Sequence, residues 1–132
     1  MKTLLLILLI PLSLASHQAF AQTTPRDSAL AAKATAFDKQ GLNQFMKEEY
    51  EAALKSALTT LRLYKKAGME NTTAGGQAYG NVALMYHKLN MPEKALPYIE
   101  KSITIYEKLD PNHVYLKSAK EWKQKILDAM GK

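Results

Sequence analysis

The chain contains no cysteine, so neither a disulfide nor a thiol nucleophile is available to it. It has one tryptophan and three histidines, and only His87 and His113 lie beyond the N-terminal segment. Those two are far apart, and neither has a partner three or four residues away that makes a convincing site, so no metal site is expected: a site needs three or four ligands. No serine sits in a strand-to-helix elbow. The run Gly75-Gly76-Gln77-Ala78-Tyr79-Gly80 has neither a preceding strand nor a following Lys-Ser or Lys-Thr, so it does not read as a phosphate loop. It reads instead as a weakly formed helix start whose small residues allow close packing, each glycine weakening the helix by about 1 kcal/mol relative to alanine. Glu48, Glu49 and Glu51 fall in a turn and a first helical turn, where negative charge suits the helix dipole and no acid–base role is needed. The expectation is a protein that is not an enzyme and carries no cofactor.

One long apolar run is present, from Leu4 to Ala15, and it is interrupted only by Pro11 and Ser13. Lys2 precedes it, and the polar Ser16-His17-Gln18 leads to Ala19-Phe20-Ala21. Small residues at the first and third places of that triplet fit a signal peptidase site. The expectation is a signal peptide over residues 1–21, cleaved after Ala21. The run is short of the roughly 20 apolar residues that span a bilayer. No cysteine follows it, so a lipid-modified N-terminus is excluded. The expected product is exported to the periplasm or secreted, with no stable membrane insertion after cleavage.

The net charge of +6 leaves the cleaved chain basic. A basic balance ordinarily raises nucleic acid as a partner, but export argues against it. Acidic peptides, glycans and anionic headgroups are the accessible alternatives, and solvation of helix faces by lysine is the plainest reading.

Residues 22–26 are polar, contain Pro25 and show no periodicity, so they read as a flexible lead-in. From Asp27 onward the chain is patterned for helix almost throughout, giving one domain over 27–132. Leu30, Ala34, Phe37, Gly41, Leu42 and Phe45 recur at the three-and-four spacing of one helix face, with Asp27 or Ser28 as cap. Tyr50, Ala53, Leu54, Ala57, Leu61 and Tyr64 do the same, up to Gly68. Thr72 or Thr73 opens a third helix through Tyr79, Val82, Ala83, Tyr86 and Leu89. Pro92 opens a fourth with Ala95, Leu96, Ile99, Ile103 and Tyr106. A last helix, over about 111–130, holds Val114, Tyr115, Ala119, Trp122, Ile126 and Leu127. Asp110 and Pro111 are expected as its cap and first turn.

Displacing the chain by 42 residues brings Glu51-Ala52-Ala53-Leu54 onto Glu93-Lys94-Ala95-Leu96. The same shift sets Leu42 on Leu84, Leu61 on Ile103, Tyr64 on Tyr106 and Lys66 on Lys108. Self-similarity at one ungapped offset signals stacked helical hairpins. In this pattern the chain resembles the tetratricopeptide repeat family, over about Ala34 to Lys108. The family's large, small and aromatic places hold Phe37, Gly41, Tyr50 and Ala53 in one repeat and Tyr79, Ala83, Tyr86 and Ala95 in the next. Gln44 stands where the first repeat would carry its helix A aromatic, and Pro92 where the second would carry the tyrosine opening helix B. The period of 42 exceeds the family's usual value of about 34 and looks like a longer-helix variety.

The resemblance implies an all-α fold: antiparallel helical hairpins over about 34–67 and 76–109 plus a C-terminal closing helix, a fragment of a right-handed α-solenoid. It also implies an interaction module or scaffold holding a peptide or partner helix in a groove lined by the A helices. The groove candidates are Asp38, Leu42, Phe45 and Met46 from the first repeat and Gly80, Leu84, His87 and Lys88 from the second. The family's carboxylate clamp of Lys and Asn is missing, since Asp38, Leu42, Gly80 and Leu84 stand at its places. Lys117, Lys120, Lys123 and Lys125 are candidates for a basic outer face on the closing helix. The implied partner is another protein or peptide. The alternatives are an accessory protein binding a small envelope ligand, glycan or lipid, and a self-assembling protein that pairs through its repeat ends.

Overall fold

The computed structural model of the chain describes residues 25–132. The expected signal peptide and residues 22–24 lie outside the described residues. Five helices follow in order: α1 Pro25–Met46, α2 Tyr50–Lys66, α3 Thr73–Lys88, α4 Pro92–Leu109 and α5 Leu116–Ala129. No strand occurs among the described residues. The pairs α1–α2 and α3–α4 are the two closest-packed, α2 lies against α3, and α5 closes the stack on α4 while also reaching α3. The fold is therefore all-α, a stack of helical hairpins with a closing helix.

Two helix starts differ from expectation. Pro25 and Arg26 already belong to α1, so the lead-in does not extend to residue 26, and Asp27 sits in the first turn rather than at the cap. Proline suits that place because its fixed φ is helical and its missing N–H would have no intrahelical partner. The last helix starts at Leu116, not near Pro111. The Asp110 carboxylate instead accepts the Asn112 backbone N–H at 2.9 Å, forming a local turn that competes with helix. Thr72 does cap α3, its hydroxyl accepting the Gly75 N–H at 3.3 Å.

The hairpin turns share one ending. Glu48 and Asn90 adopt left-handed φ values of 61° and 57°. The next residue's N–H then reaches back to an orphan carbonyl, Glu49 to Gln44 and Met91 to Tyr86, each at 2.9 Å. This left-handed cap satisfies late helix carbonyls and turns the chain sharply into the next helix.

Small residues set the helix spacing. Ala34, Ala53, Ala83 and Ala95 are all fully buried. A Cβ on Gly76 would lie 2.6 Å from the Tyr106 ring, and one on Gly75 would lie 2.0 Å from the Glu70 carbonyl oxygen. The glycines that weaken the α3 start are thus what lets that start close onto α4 and the preceding loop. Around these contacts run two apolar clusters. One joins α1, α2 and α3 through residues such as Leu61, Tyr64, Val82 and Met85. The other joins α3, α4 and α5 through Ile99, Ile103, Tyr106, Leu116 and Ile126.

The departure at Gln44 has a structural counterpart. Gln44 Oε1 accepts from Ser56 Oγ at 2.7 Å, joining α1 to α2. The residues 42 further on, Tyr86 and Tyr98, join α3 to α4 with ring centroids 5.6 Å apart. A polar pair in one hairpin takes the place of an aromatic pair in the other.

Candidate functional site

Helices α1, α3 and α5 border one groove of about 300 Å³. Asp38 and Leu42 come from α1, and Gln77, Gly80, Asn81 and Leu84 from α3. On α3 these four recur at three-and-four spacing, so one face of the helix supplies them all. Tyr115, Ser118 and Trp122 form the opposite wall, and Ser102 and Tyr106 of α4 lie beneath. Leu42 is 44% exposed, an apolar residue left open on the α1 side.

Asn81 Nδ2 donates to Asp38 Oδ1 at 3.0 Å and ties α1 to α3 within the groove. Gly80 leaves a gap: a Cβ there would meet only Ser102 Oγ, at 3.5 Å. The groove thus combines exposed amides and hydroxyls with aromatic and leucine walls, a surface suited to a polypeptide that offers both backbone amides and apolar side chains.

The structure brings Asp38, Leu42, Gly80 and Leu84 together in this groove. It places the other four candidates beyond its end. Phe45 turns inward onto Tyr50, with ring centroids 5.6 Å apart. Met46 is 80% exposed at the last position of α1. Lys88 Nζ rests 5.9 Å from the Phe45 ring centre. His87 meets the Trp122 ring edge-on at 5.8 Å, and its Nδ1 is buried with no hydrogen-bond partner among the described residues. Burial, and then the charges of Lys88 and Lys125, hold His87 below the usual histidine range.

Three of the four closing-helix candidates, Lys120, Lys123 and Lys125, contact other side chains. Lys120 Nζ pairs with Glu107 and Lys123 Nζ with Glu100, each at 3.0 Å, so both fold back onto α4. Lys125 turns the other way, its Nζ 4.3 Å from the centre of the Trp122 ring. At about 100° per residue, positions 117, 120, 123 and 125 cover more than half of the helix circumference.

Sequence reasoning missed Gln77 and Asn81, although their spacing about Gly80 and Leu84 was available. It also missed the α5 wall, because Trp122 fits a helix-core pattern equally well. Other perturbed groups are structural. Tyr79 donates to Glu70, which lowers the Glu70 carboxyl, while burial and that bond push Tyr79 up to about 12. Burial pushes Tyr106 up to about 12. Among the described residues no three His, Asp or Glu side chains gather as a metal site, and no helix is long and apolar enough to cross a membrane.

Comparison with known proteins agrees with this architecture. Neutrophil cytosol factor 2 from Bos taurus is 29% identical over 123 residues, covering 86% of this chain. The chain spans 22% of the length of that relative. No solved structure matched. The tetratricopeptide repeat pattern matches residues 32–108, more than half of the chain, and the chain belongs to the tetratricopeptide repeat family.

Proposed function

We propose that the chain is an exported interaction module, of the longer-period variety of its family, that holds a peptide or a partner helix in the groove between α1, α3 and α5. The observation that carries the reading is the groove itself. It is walled by three helices, floored by a glycine gap at Gly80, and faced with both amides and apolar side chains. Family membership supports a protein partner over a small ligand. The export half rests on the Lys2 to Ala21 pattern.

Two experiments test the two halves. A photo-crosslinking residue placed at Ser118, on the groove wall, captures a defined adduct in the native cell. The adduct is lost when Gly80→Leu fills the floor. Equal capture from a control position at Lys55, exposed on α2, would overturn the groove assignment. Mass spectrometry of the protein from the producing cell's envelope or medium finds an N-terminus at Gln22. Recovery of the intact N-terminus from the cytoplasm alone would overturn export.

A further inference from the structure

We propose that the groove selects a polypeptide segment by one arginine side chain, held in the Gly80 gap between the Asp38 carboxylate and the Trp122 indole. The proposal rests on the groove reading above and adds the chemistry of the occupant. Asp38, Gly80 and Trp122 follow one another at 42 residues, the offset that relates α1 to α3. All three line the groove, one from each of α1, α3 and α5. A carboxylate thus stands on one wall and an indole on the other, at the level where the middle helix has no side chain.

The polar atoms around the gap call for donors. Of the residues lining the groove, Asp38 alone carries a charge at neutral pH. Its Oδ1 accepts from Asn81 Nδ2 at 3.0 Å, which fixes the carboxylate across the space between α1 and α3. Among the described residues its Oδ2 takes part in no hydrogen bond or ion pair. Beneath the gap lies Ser102 Oγ, the atom that a Cβ on Gly80 would meet at 3.5 Å. Its proton goes to the Gly76 carbonyl at 2.8 Å, so toward the groove it only accepts. A carboxylate oxygen and a hydroxyl lone pair therefore border one space, with no lysine or arginine of the chain lining it.

Arginine fits that set better than lysine or a neutral group. Its planar guanidinium carries donors in a fork, enough for the carboxylate and the hydroxyl together, and its flat face stacks on an indole. Trp122 already takes a cation in this way, with Lys125 Nζ 4.3 Å from its ring centre. Asp38 is half-buried, which makes the ion pair stronger than one in open water. Leu42 and Leu84 line the groove one turn further on, and Gln77 lines it one turn back. The arginine's neighbours in the ligand are therefore apolar on one side and polar on the other. The polarity is opposite to that of the family's carboxylate clamp, at one of whose places Asp38 stands.

The test is to pan a displayed random peptide library against the full chain, counter-selecting with Gly80→Leu. The net charge of +6 repels cationic peptides in general, so their enrichment reports the site and not bulk attraction. The recovered peptides are expected to share an arginine beside apolar residues. In fluorescence anisotropy, replacing that arginine with citrulline, which keeps the shape and removes the charge, weakens binding by about tenfold or more. Asp38→Asn weakens it comparably, and in that variant the citrulline replacement costs little further. The new amide keeps an acceptor oxygen for Asn81, and unchanged circular dichroism spectra confirm that both variants fold. Lys125→Met strengthens binding, because it takes a rival cation off the Trp122 ring. Peptides that Gly80→Leu excludes but that carry no arginine would overturn the arginine assignment and leave the groove reading standing. Arginine peptides indifferent to Asp38→Asn, or weakened by Lys125→Met, would do the same. Recovery of no groove-dependent peptide would overturn both.

Discussion

Thr60 and Ser102 stand 42 residues apart, and each carries a buried hydroxyl across its own hairpin to a backbone carbonyl of the first helix. Ser102 Oγ donates to the Gly76 carbonyl at 2.8 Å. Thr60 Oγ1 lies 3.4 Å from the Ala34 carbonyl and 3.0 Å from the Ser56 carbonyl, so its proton serves mainly its own helix. Ala34 and Gly76 are again 42 residues apart. The two hairpins are latched at one place, tightly in the second and loosely in the first.

The latches should therefore differ in strength. Ser102→Ala is expected to lose about 1 kcal/mol of stability, the usual net value of a buried hydrogen bond. Thr60→Val keeps the shape and loses less. The double variant should be additive to within about 0.5 kcal/mol, since the sites share no partner. Urea unfolding followed by circular dichroism measures all three, and a larger loss for Thr60→Val would reverse the assignment.

Helices, their order and the hairpin pairing were legible because apolar spacing of three and four, broken by Gly68, Asn90 and Pro92, is a local signal. The left-handed turn at Glu48 was not legible, since glutamate does not announce that conformation. The latch residues were visible only as a Thr–Ser match at the same offset that aligns Ala53 with Ala95. The groove was half legible. Residues on α1 and α3 follow from helix register, whereas the α5 wall depends on how the closing helix leans on α4. The partners of two closing-helix lysines were hidden for a related reason: Glu100 and Glu107 lie on a different helix, and no local pattern pairs them with Lys123 and Lys120.

Gly75→Ala should destabilise the protein although alanine is the better helix former. The propensity gain is about 1 kcal/mol. Against it, the new Cβ would stand 2.0 Å from the Glu70 carbonyl oxygen, a backbone atom that cannot swing aside. The expected net loss is about 1–3 kcal/mol by overpacking. Thermal unfolding checks the sign, and a gain in Tm would show that the loop before α3 yields freely.

Glu48→Gly should do the opposite. Glu48 holds a φ of 61°, where an L side chain is strained and glycine is not. Its side chain is exposed and makes no hydrogen bond or ion pair among the described residues. Relief of strain, less the extra freedom glycine gives the unfolded chain, leaves an expected gain of about 0.5–1 kcal/mol. Denaturant titration should show a raised midpoint at unchanged slope.

Stability at high pH should fall through the titration of two tyrosines. Tyr79 and Tyr106 are each pushed from the usual value near 10 up to about 12. A raised folded-state value means that the neutral form is favoured by folding. The stabilisation is therefore complete below pH 10 and is lost as pH rises from 10 to 12. Glu70 runs the other way. Its carboxyl is lowered, chiefly by the Tyr79 hydroxyl, so its contribution is present above the ordinary glutamate value and disappears as pH falls through its folded-state value. The two tyrosines can be told apart on this basis. Tyr106→Phe should flatten the alkaline limb of a stability profile and leave the acid limb unchanged. Tyr79→Phe should flatten both, because it removes its own titration and also the bond that lowers Glu70. Urea midpoints measured across the pH range decide the matter, and a Tyr79→Phe profile with an unaltered acid limb would mean that Lys65, 3.8 Å from Glu70 Oε1, holds the carboxylate without the tyrosine.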